Sequence, residues 1–205
     1  IGLRMPDHQL LLTCLNETDL LASTSANVSG EGACRSLDRV PDAVKEAVDL
    51  CIDGGKTPRG ESAIWRLTPQ GPLLVRGTVL FVCEGNTCRS PMAEHLLRQA
   101  LAPSGSINVI SAGLMAPAGT PISRLAIEVL AEQGIDARSS VTTPVSQHLL
   151  RTADLVFVMT DDQMERVEIL WNRNVPTVVP VISLNVDDPA GGDGISAYRK
   201  VRDIL

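Results

Sequence analysis

Aromatic side chains are scarce in this chain. Two Phe, two Trp and one Tyr make up 2% of its 205 residues, so a clamp on a ligand ring has little to draw on. A basic excess is also missing. Lys and Arg number 18 against 24 Asp and Glu, and a formal charge of −6 argues against a general nucleic-acid or membrane-surface binder. No apolar run approaches membrane-spanning length, and no signal-peptide pattern opens the chain. The five cysteines, at 14, 34, 51, 83 and 88, form no paired zinc spacing, and an odd number argues against a secreted disulfide framework. A reducing cytoplasm fits best. His8, His95 and His148 show no ligand or catalytic spacing and are expected to be surface or packing residues, so neither metal nor cofactor is expected. The chain opens at Ile1 in mid-strand pattern and reads as a piece of something longer. Hydrophobic content of 44% with 20% charged residues is that of an ordinary globular protein.

What is present centres on one stretch. Thr78 to Val82 is an apolar, β-branched run that reads as a buried strand and ends at Cys83. Gly85 and Asn86 permit the positive φ angles of a tight loop. Ser90 then suits an N-cap, with Pro91 at the first helical position of a helix running to Leu101. Strand, tight loop and helix together aim backbone N–H groups and the positive end of a helix dipole at one point, which suits a phosphate. The same field favours a nucleophilic thiolate at Cys83. Arg89 completes a C-x5-R spacing, and its planar fork suits two phosphate oxygens at once. The spacing alone is weak, since a buried cysteine ending a core strand and a solvated arginine opening a helix would match it. The flanking strand, the Gly-Asn pair and the Ser-Pro helix start carry the phosphate-loop reading.

The run CEGNTCRSP resembles the signature of the low-molecular-weight protein phosphatases. That resemblance implies a cysteinyl-phosphate mechanism with Cys83 as nucleophile, and Glu84, Gly85, Asn86, Thr87, Cys88, Arg89 and Ser90 around the phosphate. Asn86 and Ser111 resemble the family's polar residues that lock the loop, and Ser90 would donate its hydroxyl to the Cys83 thiolate. Some members place a histidine in that network, near Ser139 or Ser140 here, where this chain has none. A leaving group departs more easily when protonated, so a general acid is also needed. Asp187-Asp188-Pro189-Ala190-Gly191-Gly192-Asp193 is by itself an ordinary acidic turn, but it matches the family's Asp-Pro motif and makes Asp188 the candidate acid, with Asp187 the less favoured neighbour. Cys83 and Cys88 share one loop, so peroxide-driven, reversible disulfide formation is expected between them.

From residue 78 onward strand and helix alternate, which implies a parallel sheet covered on both faces. The expected elements are a strand at Ile107–Ser111, helices at Ser123–Gln133 and Ser146–Arg151, a strand at Asp154–Met159, a helix at Asp161–Leu170, a strand at Thr177–Ile182 and a final helix at Ala197–Leu205. The SAG triplet, the GID turn and ADLVFVMT stand where the phosphatase family has similar runs. The implied fold is α/β, a four-stranded parallel sheet with helices on both faces (Rossmann-like), over residues 78–205.

Residues 1–77 follow a different logic. Leu20–Thr24 reads as a short strand, Ser25 to Gly30 as a polar loop and Ser36–Ala47 as a helix. Val48, Leu50 and Ile52 alternate with polar neighbours as a half-buried strand would, and Ile64–Leu67 with Leu73–Arg76 flank a hairpin turn. IGLRMPDH, TSANVSG, VDLCIDGGKTPRGESA and PLLVRG resemble the final portion of the Sua5/YrdC family, which makes threonylcarbamoyl-adenylate from threonine, bicarbonate and ATP. That resemblance implies a partial α/β domain, a nucleotide or double-stranded RNA partner, and nucleotide contacts at Ser25, Asn27, Ser62 and Arg76. The family's basic motif from its first half is absent and its Ser-Thr pair is here Ser62-Ala63, so no adenylate synthesis by this chain is expected. No linker separates the halves: Arg76-Gly77 passes straight into the strand at Thr78.

These residues are compatible with three function classes: a cysteine-dependent phosphatase, a nucleotide- or RNA-binding module resting on residues 1–77, and arsenate reduction on the same fold. The last needs a further cysteine downstream of the loop, and no cysteine follows Cys88. The first is the expectation, with a phosphorylated protein as partner and no membrane. Thr87 stands where many tyrosine-directed relatives carry isoleucine, and members with threonine there resemble protein-arginine phosphatases. Pro189 is followed by Ala190 and Gly191, without the aromatics that would clamp a phosphotyrosine ring, unless Trp171 is borrowed. Phosphoarginine is therefore favoured over phosphotyrosine.

Overall fold

A computed structural model describes the chain except for residues 1, 5, 7, 29–30, 58–60, 103–104 and 172–178. The end of the polar loop at 29–30, part of the Sua5/YrdC-like run at 58–60 and the start of the strand expected from Thr177 lie outside the described residues. The chain divides into two compact units, Ile1–Glu61 and Ser62–Leu205.

The first unit holds two helices, α1 (Gln9–Thr18) and α2 (Asp42–Glu46), and a single 3-10 turn at Leu37–Arg39. The helix expected over Ser36–Ala47 is split at Pro41, whose missing N–H and fixed φ interrupt the ladder. Neither strand expected here forms among the described residues. Val48, Leu50 and Ile52 are 48, 73 and 60% exposed: an alternating pattern makes a strand only when a neighbouring strand accepts its hydrogen bonds. A tie between Arg35 and Thr57 closes a long loop, with Thr57 N donating to Arg35 O at 2.8 Å and Arg35 Nη2 to Thr57 O at 3.2 Å.

The second unit is built on β2 (Gly71–Cys83), the chain's longest strand. Its first half pairs antiparallel with β1 (Ile64–Thr68) in the expected hairpin, with a register shift after Ile64. Its second half runs parallel between β3 (Ile107–Gly113) and β4 (Leu155–Val158), and β4 pairs in parallel with β5 (Val181–Ser183). The parallel portion is thus a four-stranded sheet in the order β3-β2-β4-β5, as the alternation of strand and helix implied. Gly77 marks the change from hairpin to parallel strand. It sits at φ +155, where a Cβ would lie 2.8 Å from Asp154 Oδ2, the oxygen that accepts from Thr78 N.

The side-chain period of two sorts β2 between two cores. Val79, Phe81 and Cys83 face α3 (Arg89–Leu101), α4 (Arg124–Ala131) and α7 (Ile195–Ile204), meeting Met92, Val129, Leu130, Tyr198 and Val201. Leu80 and Val82 face α5 (Gln147–Thr152) and α6 (Asp161–Trp171), meeting Leu150, Val156, Val158 and Val167. Phe81 stacks on Phe157 at 5.3 Å. Burial of these residues, all but the partly buried Phe157 at 0–6% exposure, supplies the main stabilisation, since each fully buried aliphatic side chain is worth about 1.5–3 kcal/mol of transfer free energy. Because the parallel strands all end on one side, their C-terminal loops gather at one end of the sheet, where α/β folds place their sites.

Of the expected surface or packing roles, His95 takes the packing one and is half-buried. From α3 its Nε2 reaches Ser140 Oγ at 2.7 Å, so a histidine does stand beside Ser140, supplied from a distant helix. Burial lowers its pKa below the ordinary 6.5. The unfolded chain therefore binds a proton at about pH 6.5 that the folded chain resists, and stability falls as pH drops through that value towards the folded pKa. Urea midpoints measured from pH 7.5 to 5.5 should fall more steeply in the wild type than in His95→Gln.

Candidate active site

β2 ends at Cys83, and the loop to α3 folds around its sulfur. Cys83 is 2% exposed; Ser90 Oγ lies 3.0 Å from Sγ and Asn86 N donates to Sγ at 3.2 Å. The Asn86 N–H stabilises negative charge on sulfur, and the Ser90 hydroxyl can add to it by turning its single hydrogen from Ala112 O to Sγ. Asn86 takes φ +52, a conformation asparagine tolerates, and turns the chain so that its N–H faces inward. Its side chain, 1% exposed, donates through Nδ2 to Ser90 Oγ at 2.9 Å and Ser111 Oγ at 2.8 Å, and accepts from Thr143 N at 2.7 Å.

Ser90 is not the helix cap. The helix begins at Arg89 with Cys88 at the N-cap, and the Ser90 hydroxyl turns inward to Cys83 and to Ala112 O at 3.3 Å. Pro91 is tolerated one turn in because the first four N–H groups of a helix have no intrahelical acceptor. Those groups and the helix dipole face the loop, as an anion site requires.

The loop rests on β3. Leu114 N donates to Cys83 O at 2.9 Å and Met115 N to Glu84 O at 2.8 Å. A Cβ on Gly113 would stand 2.7 Å from Asn86 N and 2.8 Å from Glu84 O, so only glycine lets the loop lie this close. On the other side Ser123 N donates to Thr87 O at 2.8 Å.

Arg89 is 5% exposed, and its guanidinium is held by two groups from the loop after β5. Nη1 donates to Val186 O at 3.2 Å, and Nη2 pairs with Asp188 Oδ2. Asp188 is also the cap of a 3-10 turn at Pro189–Gly191, accepting from Ala190 N at 3.0 Å, which aims its carboxylate back at the loop. Its side chain stays half exposed. Asp187 and Asp193 are exposed. Thus Cys83, Asn86, Arg89, Ser90, Ser111 and Asp188 converge on one site.

Three neighbours were not foreseen. Arg166 of α6 forms a two-pronged pair with Glu84, 2.6 Å from Oε2 and 3.1 Å from Oε1, and its pKa is raised by that carboxylate. Tyr198 of α7 lies 2.9 Å from Cys88 Sγ. Thr143 supplies the backbone donor that fixes Asn86. Each comes from 55 or more residues away in sequence, and the one local signal was that the chain's single tyrosine falls on an amphipathic helix. Trp171 is half-buried against the Leu80–Val158 core.

The other four sequence candidates are divided between the two units. Ser25 and Asn27 belong to the first unit and Ser62 and Arg76 to the second. Asn27 Nδ2 donates to Glu31 O at 2.7 Å, and Arg76 Nε donates to Ser62 O at 3.1 Å, which are local ties.

A cysteine at the centre of a tight loop, a buried arginine on its rim and an Asp-Pro carboxylate above it define a phosphatase of the cysteine-loop class. Residues 78–205 match the model of the Low molecular weight phosphotyrosine protein phosphatase family, and the chain belongs to that family. Residues 1–77 match the model of Sua5, YciO and YrdC proteins, described as Telomere recombination. The compact units divide at Glu61/Ser62 instead, because the β1–β2 hairpin packs on the second unit through Trp65 and Leu74. A probable low molecular weight protein-tyrosine-phosphatase EpsP of Ralstonia solanacearum is 44% identical over 115 residues, covering 55% of this chain and 77% of that protein. A protein-arginine-phosphatase of Bacillus subtilis is 36% identical over 134 residues, covering 62% of this chain and 88% of the relative. The crystal structure of a low molecular weight protein tyrosine phosphatase from T. tengcongensis matches with a TM-score of 0.55 and 32% identity, covering 62% of this chain and 90% of that one. Among the described residues no helix is long and apolar enough to cross a membrane.

Gly113 tests the loop's dependence on its support. Gly113→Ala should lower stability by about 1–3 kcal/mol through overpacking. It should also weaken vanadate binding by displacing Asn86, read by urea denaturation and by inhibition of turnover.

Proposed function

We propose that this chain hydrolyses phosphorylated protein side chains through a cysteinyl-phosphate intermediate, with phosphoarginine favoured over phosphotyrosine. The observation that carries the mechanism is the convergence of Cys83, Arg89 and Asp188 on one loop. The Cys83 thiolate, steadied by Ser90 and Asn86 N, attacks phosphorus, and the bond from phosphorus to the substrate's oxygen or nitrogen breaks. Asp188, which takes up a proton from solvent once the phosphate engages Arg89, gives that proton to the leaving atom. Water then attacks the S–P bond with Asp188 as base, and free thiolate and inorganic phosphate result. Loop N–H groups and the Arg89 fork hold the equatorial oxygens through both steps. The Arg89–Asp188 pair positions the acid over the loop before substrate arrives.

Substrate preference is supported by the site's wall. Thr87 is half-exposed on the loop, beside the phosphate position, and its hydroxyl can meet a guanidinium that an aliphatic wall would leave unpartnered. The acid loop continues as Ala190 and Gly191, small residues that leave room for a polar side chain and provide no ring to stack on. The B. subtilis relative that acts on phosphoarginine agrees with this reading. For residues 1–77 we assign no chemistry.

The mechanism is tested by two substitutions. Cys83→Ser should reduce kcat by on the order of 10³-fold or more while retaining vanadate affinity, because the N–H cradle and Arg89 remain. Asp188→Asn should slow alkyl or other poor leaving groups by about 10²-fold and para-nitrophenyl phosphate much less. Near-normal turnover in Cys83→Ser would refute the covalent route.

Substrate choice is tested by kcat/KM on matched phosphoarginine and phosphotyrosine peptides. The wild type should prefer phosphoarginine, and Thr87→Ile should shift the ratio towards phosphotyrosine by about tenfold. A wild type that prefers phosphotyrosine, unshifted by Thr87→Ile, ends the argument from Thr87.

A further inference from the structure

Tyr198 lies on the buried face of α7 at 5% exposure, and its ring packs in the core beneath the loop. Its hydroxyl does not end in that core. Ser123 Oγ donates to Tyr198 Oη at 3.1 Å, Oη lies 2.9 Å from Cys88 Sγ, and Cys88 Sγ lies 3.4 Å from Thr87 Oγ1. Four polar side chains form a file from α7 and the start of α4 to the wall of the phosphate loop.

Counting hydrogens sets the direction of that file. Burial, and then the neighbouring Cys88, push the phenol's pKa up to about 12, so it keeps its single proton. Its oxygen already accepts from Ser123, which leaves the phenol hydrogen for the Cys88 sulfur. Sulfur accepts that hydrogen, and its own S–H has Thr87 Oγ1 within reach. Thr87 is then an acceptor on its inner side. Its O–H hydrogen and one remaining lone pair are left for whatever occupies the loop.

We infer that Tyr198 is a positioning residue for substrate choice, acting through Cys88 to hold the Thr87 hydroxyl in a substrate-facing orientation. This rests on the proposed reading of Thr87 as the residue that separates phosphoarginine from phosphotyrosine. A guanidinium N–H can donate to the free lone pair, while a phenyl ring has no donor to offer. Without the phenol hydroxyl, Cys88 and Thr87 are free to turn towards each other or away, and the wall loses its fixed polarity. The ring itself is retained in Tyr198→Phe, so packing and polarity separate cleanly at this position.

The experiment is a double-mutant cycle on the full chain. kcat/KM is measured for matched phosphoarginine and phosphotyrosine peptides in wild type, Tyr198→Phe, Thr87→Ile and the double variant. Tyr198→Phe should lower the phosphoarginine to phosphotyrosine ratio about fivefold, the worth of one neutral hydrogen bond. The double variant should show no more change than Thr87→Ile alone. Ser123→Ala, which removes the group that orients the phenol, should shift the ratio in the same direction only when Thr87 is present, and it replaces Tyr198→Phe should that variant fail to fold. A ratio unmoved by either change, or moved equally with and without Thr87→Ile, overturns the inference. A wild type that prefers phosphotyrosine defeats the reading of Thr87, yet the cycle still decides whether Tyr198 acts through it.

Discussion

The Asn86 side chain is the constraint on which the site depends. One amide makes three hydrogen bonds, to Ser90, to Ser111 and from Thr143 N, at 2.7–2.9 Å and 1% exposure. A buried amide left with an open donor or acceptor costs about 1–3 kcal/mol, so the three partners are mutually required. They come from α3, β3 and the loop before α5. By joining them, Asn86 fixes the phosphate loop to the sheet while its own backbone, at φ +52, delivers an N–H to Cys83. The close approach at Gly113 follows from the same requirement, since any side chain there would lift the loop off β3.

Charge is arranged around this frame by pairing. A buried guanidinium is expensive without a partner, and Arg89 at 5% exposure has both the Val186 carbonyl and the Asp188 carboxylate. The pairing also ties the loop after β5 to the phosphate loop. Glu84 and Arg166 are a different case: both side chains are more than a third exposed, so their pair contributes little to stability and instead ties the second loop residue to α6. Phosphate, carrying its own negative charge, would meet Arg89 at the loop and the half-exposed Asp188 above it.

Selectivity in such a site cannot come from the cradle, which grips any phosphoryl group. It has to come from residues around the loop, of which Thr87 is partly exposed. Aromatics are 2% of the chain's residues, so few rings are on hand to line such a rim. The single tyrosine is buried instead, with its hydroxyl 2.9 Å from Cys88 Sγ.

By itself the sequence determined the parts whose physics is local. A β-branched run ending at Cys83, a Gly-Asn turn and an amphipathic helix specify strand, loop and helix because period and φ preference act within a few residues. The alternation after residue 78 likewise determined a parallel sheet with helices on both faces, and the hairpin after Ile64 was legible in its turn. Where a pattern needed a distant partner, local reading failed. Val48 to Ile52 alternates without a strand to pair with, Pro41 outweighed the surrounding helical pattern, and Ser90 gave up a cap position to face Cys83. Only the tertiary structure decided that His95 meets Ser140, that Arg166 holds Glu84, that Thr143 locks Asn86 and that Tyr198 reaches Cys88. Those contacts join residues 45 to 110 positions apart, and hydrogen bonds over such separations leave no period in the chain. They exist because β2 carries the loop to the end of the sheet where the other elements also finish.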